Sequence, residues 1–118
     1  MLFNVAVQHG GPYLLVVASG RAHLCDFFGL FDLAARVAQM KGYKRAIVDL
    51  LAVEPVLSFT EHLQLGAHVA SALAGLDRVA TVVDARFRTG TSEKAAQKHG
   101  LDLRTFVDIH EATEWLES

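Results

Sequence analysis

Apolar and polar positions along this chain change period several times, and the changes mark out its elements. Three stretches are apolar without alternation: Tyr13-Leu14-Leu15-Val16-Val17-Ala18, Ala46-Ile47-Val48-Asp49-Leu50 and Val79-Ala80-Thr81-Val82-Val83. Such runs suit strands buried on both faces, as in a parallel or mixed sheet. A helical pattern follows each one, so three strand–loop–helix units succeed one another over Tyr13–Met40, Arg45–Ala74 and Arg78–His99. Before them, Phe3, Val5 and Val7 alternate with Asn4, Ala6 and Gln8, which predicts a half-exposed edge strand. Gly10-Gly11-Pro12 then predicts a turn back into an antiparallel partner.

The helices carry their own start and stop signals. In the first, Phe27, Leu30, Phe31, Ala34, Val37 and Ala38 share a face, Asp32 and Arg36 lie opposite, Asp26 suits the N-cap and Gly42 the terminator. Ser58-Phe59-Thr60-Glu61 is a capping box opening the second. There the apolar spacing predicts a buried stripe of Phe59, Leu63, Gly66, Ala67, Ala70, Leu73 and Ala74, with Glu61, Gln64, His68 and Ser71 towards water. A third helix is expected over Thr91–His99, ending at Gly100, then a strand over Arg104–Val107. Asp108 caps a last helix with Ala112, Trp115 and Leu116 on one face. The expected fold is α/β: a mixed, mainly parallel sheet of about five strands with four helices, in the order β-β-α-β-α-β-α-β-α.

Composition narrows the function classes. The 118 residues suffice for one domain, and 52% apolar with 20% charged residues describes a compact chain. A net charge of −2 argues against nucleic acid, whose phosphates need a concentrated basic face. One cysteine excludes an internal disulfide, Met1-Leu2-Phe3-Asn4 has no basic leader region, and no apolar run approaches the roughly 20 residues of a membrane span, so a cytoplasmic protein is expected.

Candidate chemistry gathers where the strand-to-helix loops should converge, at the carboxyl edge of the sheet. Arg86 and Arg88, followed by Thr89, Gly90 and Thr91, suit an anion-facing loop, and Arg21 falls in the matching loop after the second strand. The same residues also suit a solvated loop. Asp49, at the end of its strand, reads equally as a functional carboxylate or as a cap for the following loop. Cys25 reads as a thiol activated beside a helix start or as a small packed hydrophobe, with His23 its nearest base. His62 and His68 fall about 120° apart around a helix, so they do not share a metal. Gly10-Gly11 precedes a strand and is no nucleotide loop. Neither metal nor cofactor is expected.

The element order, with Arg45-Ala46-Ile47-Val48-Asp49-Leu50, Arg78-Val79-Ala80-Thr81-Val82-Val83 and Arg104-Thr105-Phe106-Val107-Asp108 leading to Ala112 and Trp115-Leu116, resembles the STAS family over essentially the whole chain. It is most similar to the bacterial SpoIIAA-like (STAS/SEC14-type) members. The resemblance implies a non-enzymatic regulatory or protein-interaction module. In the family's anti-sigma-factor antagonists the first serine of an Asp-Ser-Ser/Thr-Gly segment is phosphorylated by a partner kinase. That serine falls on Ser58, while Leu57, Phe59 and Thr60 stand in place of the aspartate, second hydroxyl and glycine. The partner surface is then expected around Asp49, Glu54, Leu57, Ser58 and Thr60, helped by an apolar loop of Val53, Pro55, Val56 and Leu57. The alternative is a domain binding a small anionic or lipid ligand through Arg21, Arg86, Arg88, Thr89 and Thr91, since SEC14-type relatives bind lipid. The edge strand further suggests a homodimer.

Overall fold

The computed structural model describes residues 2–9 and 11–118; Gly10, placed above in the first turn, and Met1 lie outside them. The elements are β1 (Asn4–Gln8), β2 (Leu14–Ala22), α1 (Leu24–Lys41), β3 (Arg45–Pro55), α2 (Phe59–Ala72), β4 (Arg78–Val83), a 3-10 turn (Ala85–Phe87), α3 (Thr91–Lys98), β5 (Leu103–Phe106) and α4 (Ile109–Glu117). The sheet order is β1-β2-β3-β4-β5, with β1 antiparallel to β2 and every later pairing parallel. Strand order therefore equals chain order, successive crossovers step the same way, and α1, α2 and α3 share one face of the sheet.

Two cores result, one on each face. Leu14, Val16, Val48, Leu50, Val79 and Leu103 pack under α1–α3, while Ile47, Ala80 and Val82 pack against Ala112 and Leu116 of α4. Burial on both faces is why these strands need unbroken apolar runs. Main-chain carbonyls at the end of α4 are held by arginines at the start of two strands: Arg45 donates to Leu116, and Arg78 donates to Trp115 at 2.9 Å. Arg78 and Arg104 also lie over the Trp115 ring, at 5.3 and 5.2 Å.

Four local expectations need correction. First, β3 does not end near Leu50. Its register against β2 passes from Val17↔Asp49 to Ser19↔Ala52, so Leu50 and Leu51 both face Ala18 in a bulge. An Asp49 carboxylate oxygen accepts the Leu51 N–H at 3.0 Å, so this carboxylate serves the bulge rather than a loop. Beyond it the strand resumes, and Val53 is buried in the core rather than displayed on a loop.

Second, β2 runs on through Arg21 to Ala22 and enters α1 with no intervening loop. His23 is the N-cap of α1. Asp26 sits at the third helical position, where its carboxylate accepts the His23 N–H at 2.9 Å. Third, Cys25 is exposed in the first turn of α1 and is not a packed hydrophobe.

Fourth, α2 is rotated from the predicted face. Its buried residues are Leu65, Gly66, Val69 and Ala70, followed by Leu73, whereas Phe59, Leu63 and Ala74 are exposed. Leu65 and Val69 enter the core instead, while Gly66 stays on the buried face: a Cβ there would lie 2.5 Å from both the Ala95 Cβ and the Ser92 carbonyl oxygen, so this glycine lets α2 rest on α3. His68, expected in water, is half-buried instead, stacked on Phe28 with ring centroids 4.2 Å apart.

Candidate functional site

At the carboxyl edge of the sheet the arginines differ in what they hold. Arg21 and Glu54 are register partners on β2 and β3, with Nη2 to Oε1 at 3.6 Å. Alternation along β2 puts Arg21 on the face opposite Ala22, away from α1–α3. Asp84 caps the 3-10 turn by accepting the Arg86 N–H at 2.9 Å, and receives the Arg86 guanidinium on both oxygens, Nε at 3.1 Å and Nη2 at 3.2 Å. These bonds hold the Asp84 carboxyl below the usual carboxylate range and raise the Arg86 guanidinium, which also lies 5.0 Å over the Phe87 ring. Arg88 makes no ion pair among the described residues.

Thr89 Oγ1 accepts the Thr91 N–H at 3.3 Å, and Gly90, at φ 77°, is the N-cap of α3. A glycine cap has no side chain to accept the helix N–H groups, so Thr89 takes the Thr91 N–H in its place, and those of Ser92 and Glu93 receive no cap side chain. Arg88 and α3 thus lie on the helix-covered side, and Arg21 on the other.

The start of α2 forms a second feature. Ser58 Oγ accepts the Glu61 N–H at 3.2 Å, and Glu61 accepts the Ser58 N–H at 2.9 Å. The capping box is complete, which fixes how the chain enters the helix. Around it stand Val56, Phe59 and Leu63, with relative exposures of 38%, 69% and 42%. Phe59 and Leu63 are one helical turn apart and share a face. Thr60 and Glu54 are exposed beside them in sequence, whereas Leu57 packs partly on the core.

Beneath α2 lies a cavity of about 90 Å³, between the sheet and α1, α2 and α3. Its floor is apolar, including Phe27, Phe31, Leu50, Leu65 and Leu103. Polar groups reach it from α2, β4, α3 and β5. Thr81 and Thr105 share a hydrogen bond between their hydroxyls at 2.9 Å across β4 and β5. Glu93 of α3 accepts the Thr105 N–H.

His62 and Ser92 meet between helices: Ser92 Oγ donates to the His62 carbonyl at 3.1 Å, so it receives the His62 Nδ1–H at 2.9 Å. That assignment leaves Nε2 of His62 unprotonated. Burial pushes the His62 pKa below its ordinary value, against a smaller opposite pull from Glu61.

A protein of the DUF3478 family from Shewanella loihica PV-4, described as having a SpoIIAA-like fold, superposes with a TM-score of 0.58 at 18% identity, over 97% of this chain and 93% of its own. An anti-sigma factor antagonist from Mycobacterium paratuberculosis superposes with a TM-score of 0.63 at 16% identity, over 99% of this chain and 96% of its own. The chain has a SpoIIAA-like fold. No family model matches the sequence, and no curated protein does.

Within the SpoIIAA-like fold, Ser58 opens the helix that follows the third strand, as its capping box predicted. Arg88, Thr89, Gly90 and Ser92 come together at the cavity. Arg21, Arg86 and Asp49 point to carboxylate pairing and to the bulge. Sequence reasoning missed His62, Ser92, Glu93, Thr81 and Thr105, because their juxtaposition depends on α2 resting on α3 through Gly66, on β4 pairing with β5 and on α3 reaching β5. The small residues Gly66, Ala95 and Ala96, in register across two helices, were the available signal.

Proposed function

We propose that this chain is a non-enzymatic regulatory module that engages another protein through the exposed start of α2. The observation that carries the reading is the cluster of Val56, Phe59 and Leu63 in water around the Ser58–Glu61 capping box. A protein gains little by exposing a phenylalanine at 69% unless something covers it, since a buried aromatic anchor is among the strongest contributors to an interface. The likeness to an anti-sigma factor antagonist, a protein named for acting on a protein, supports the same reading. Exposed Glu54 and Thr60 belong to the polar rim such a patch needs.

Ser58 gives this surface a point of control. A phosphate on its Oγ would stand at a helix N-terminus, favoured by the dipole, yet beside the Glu61 carboxylate that closes the box. Modification there replaces a small hydroxyl by a dianion at the centre of an apolar patch, which opposes docking.

The test is a pull-down with wild type, Phe59→Asp and Leu63→Asp, followed by reconstitution of each recovered pair from purified proteins. The reading requires a partner that binds wild type and that both variants lose while keeping the wild-type unfolding midpoint. Equal binding by all three would overturn it.

A further inference from the structure

We propose that the cavity beneath α2 is a binding site for a small monocarboxylic acid with a short hydrocarbon tail, its carboxylate held by Arg88. The proposal concerns the inner side of α2 and does not depend on what docks against the outer side.

Three observations carry it. The cavity, at about 90 Å³, far exceeds the space one water needs, yet its floor is apolar and suits hydrocarbon better than water. A cavity of about 150 Å³ holds benzene, so this one takes a smaller body, of about four or five carbons. Arg88, exposed at the lining, is the arginine of this edge that makes no ion pair among the described residues, while Arg21 and Arg86 hold Glu54 and Asp84. A guanidinium beside an apolar cavity matches a carboxylate in charge and in its two-pronged donor geometry. The first turn of α3, entered through Gly90 in the same lining, adds the N–H groups of Ser92 and Glu93 on that side, the Thr91 N–H being taken by Thr89.

The remaining polar groups set specificity. Glu93 lines the same cavity with its carboxylate. A second negative charge on the ligand would meet it, so monocarboxylates are preferred to dicarboxylates. Thr81 and Thr105 already satisfy each other and so ask nothing of the tail.

The experiment titrates the full chain with pentanoate, 1-pentanol, glutarate, decanoate and inorganic phosphate, following backbone amide shifts by NMR. Pentanoate should saturate and shift Thr81, Leu103 and Gly90. Pentanol should shift the floor residues at about tenfold lower affinity, because it lacks the charge-assisted bonds. Glutarate, decanoate and phosphate should each bind at least about tenfold more weakly than pentanoate.

Arg88→Gln should weaken pentanoate about tenfold and leave pentanol unchanged. Val83→Phe, at a half-buried lining position, should abolish both; should it unfold, the Arg88→Gln pair of titrations decides alone. Shifts confined to Arg88 and Thr89, or phosphate binding as well as pentanoate, would overturn the proposal, as would indifference of pentanoate to Arg88→Gln.

Discussion

His68 on α2 places its Nε2 2.7 Å from an Asp32 carboxylate oxygen on α1. The contact ties together the two helices, and the imidazole also stacks on Phe28. Each bond is partly wet, so neither is worth much alone, but the ring makes both at once. His68→Ala should lower unfolding free energy by about 0.5–1.5 kcal/mol, measured by urea titration. Asp32→Asn, which keeps a hydrogen-bond acceptor, should cost less than His68→Ala; equal losses would place the effect in the charge alone.

Gly66 yields a prediction against intrinsic propensity. Replacing a mid-helix glycine by alanine ordinarily stabilises by about 1 kcal/mol. Here the added methyl would meet the Ser92 carbonyl oxygen and the Ala95 Cβ at 2.5 Å, and the first of these is backbone that cannot turn aside. Gly66→Ala should therefore destabilise, by about 1–3 kcal/mol, through separation of α2 from α3. A rise in melting temperature would show that the two helices part easily.

The same glycine shows how far the sequence could be read. Strands β2, β3 and β4 were legible because two-sided burial demands apolar residues at consecutive positions, and few other settings do. The α1 face was legible because Asp32 and Arg36 mark its outer side. In α2, apolar side chains occupy most of the circumference, from Phe59 and Leu63 to Leu65 and Val69, so periodicity alone does not choose a face. Tertiary packing made the choice: Leu65 and Val69 enter the core, and α3 approaches at Gly66.

β3 was cut short for a related reason: Glu54 and Pro55 look like a loop, and a bulge at Leu50 and Leu51 changes the alternation. The cavity was not legible, since it is lined from α1, β3, α2, β4, α3 and β5 and from the 3-10 turn. The cap at Ser58 was legible, because a capping box is local.

His62 should make stability depend on pH. Burial lowers its folded-state pKa, so the unfolded chain binds this proton more readily than the folded one. Stability is then at its full value above the unfolded pKa, near 6.5, and declines as pH falls through it towards the lower folded pKa. The comparison is between wild type and His62→Gln in urea titrations from pH 7.5 to about 5. Wild type should lose more stability than the variant over that interval. Parallel curves would mean that the imidazole gains water as readily as it gains a proton.

The cap at Ser58 separates a structural from a regulatory role. Ser58→Ala removes the acceptor for the Glu61 N–H and should cost about 1 kcal/mol. Aspartate also caps, so Ser58→Asp should come close to wild type in stability, with a small penalty from facing the Glu61 carboxylate. If Ser58 were only a cap, partner binding would follow stability: weakened in Ser58→Ala and nearly intact in Ser58→Asp. The proposed control predicts the reverse order. Ser58→Ala keeps the apolar patch of Val56, Phe59 and Leu63 uncharged and should bind, whereas Ser58→Asp sets a negative charge among them and should fold yet lose the partner. Measuring unfolding midpoint and partner affinity on the same two variants decides between the orders, because stability and binding must then move in opposite directions.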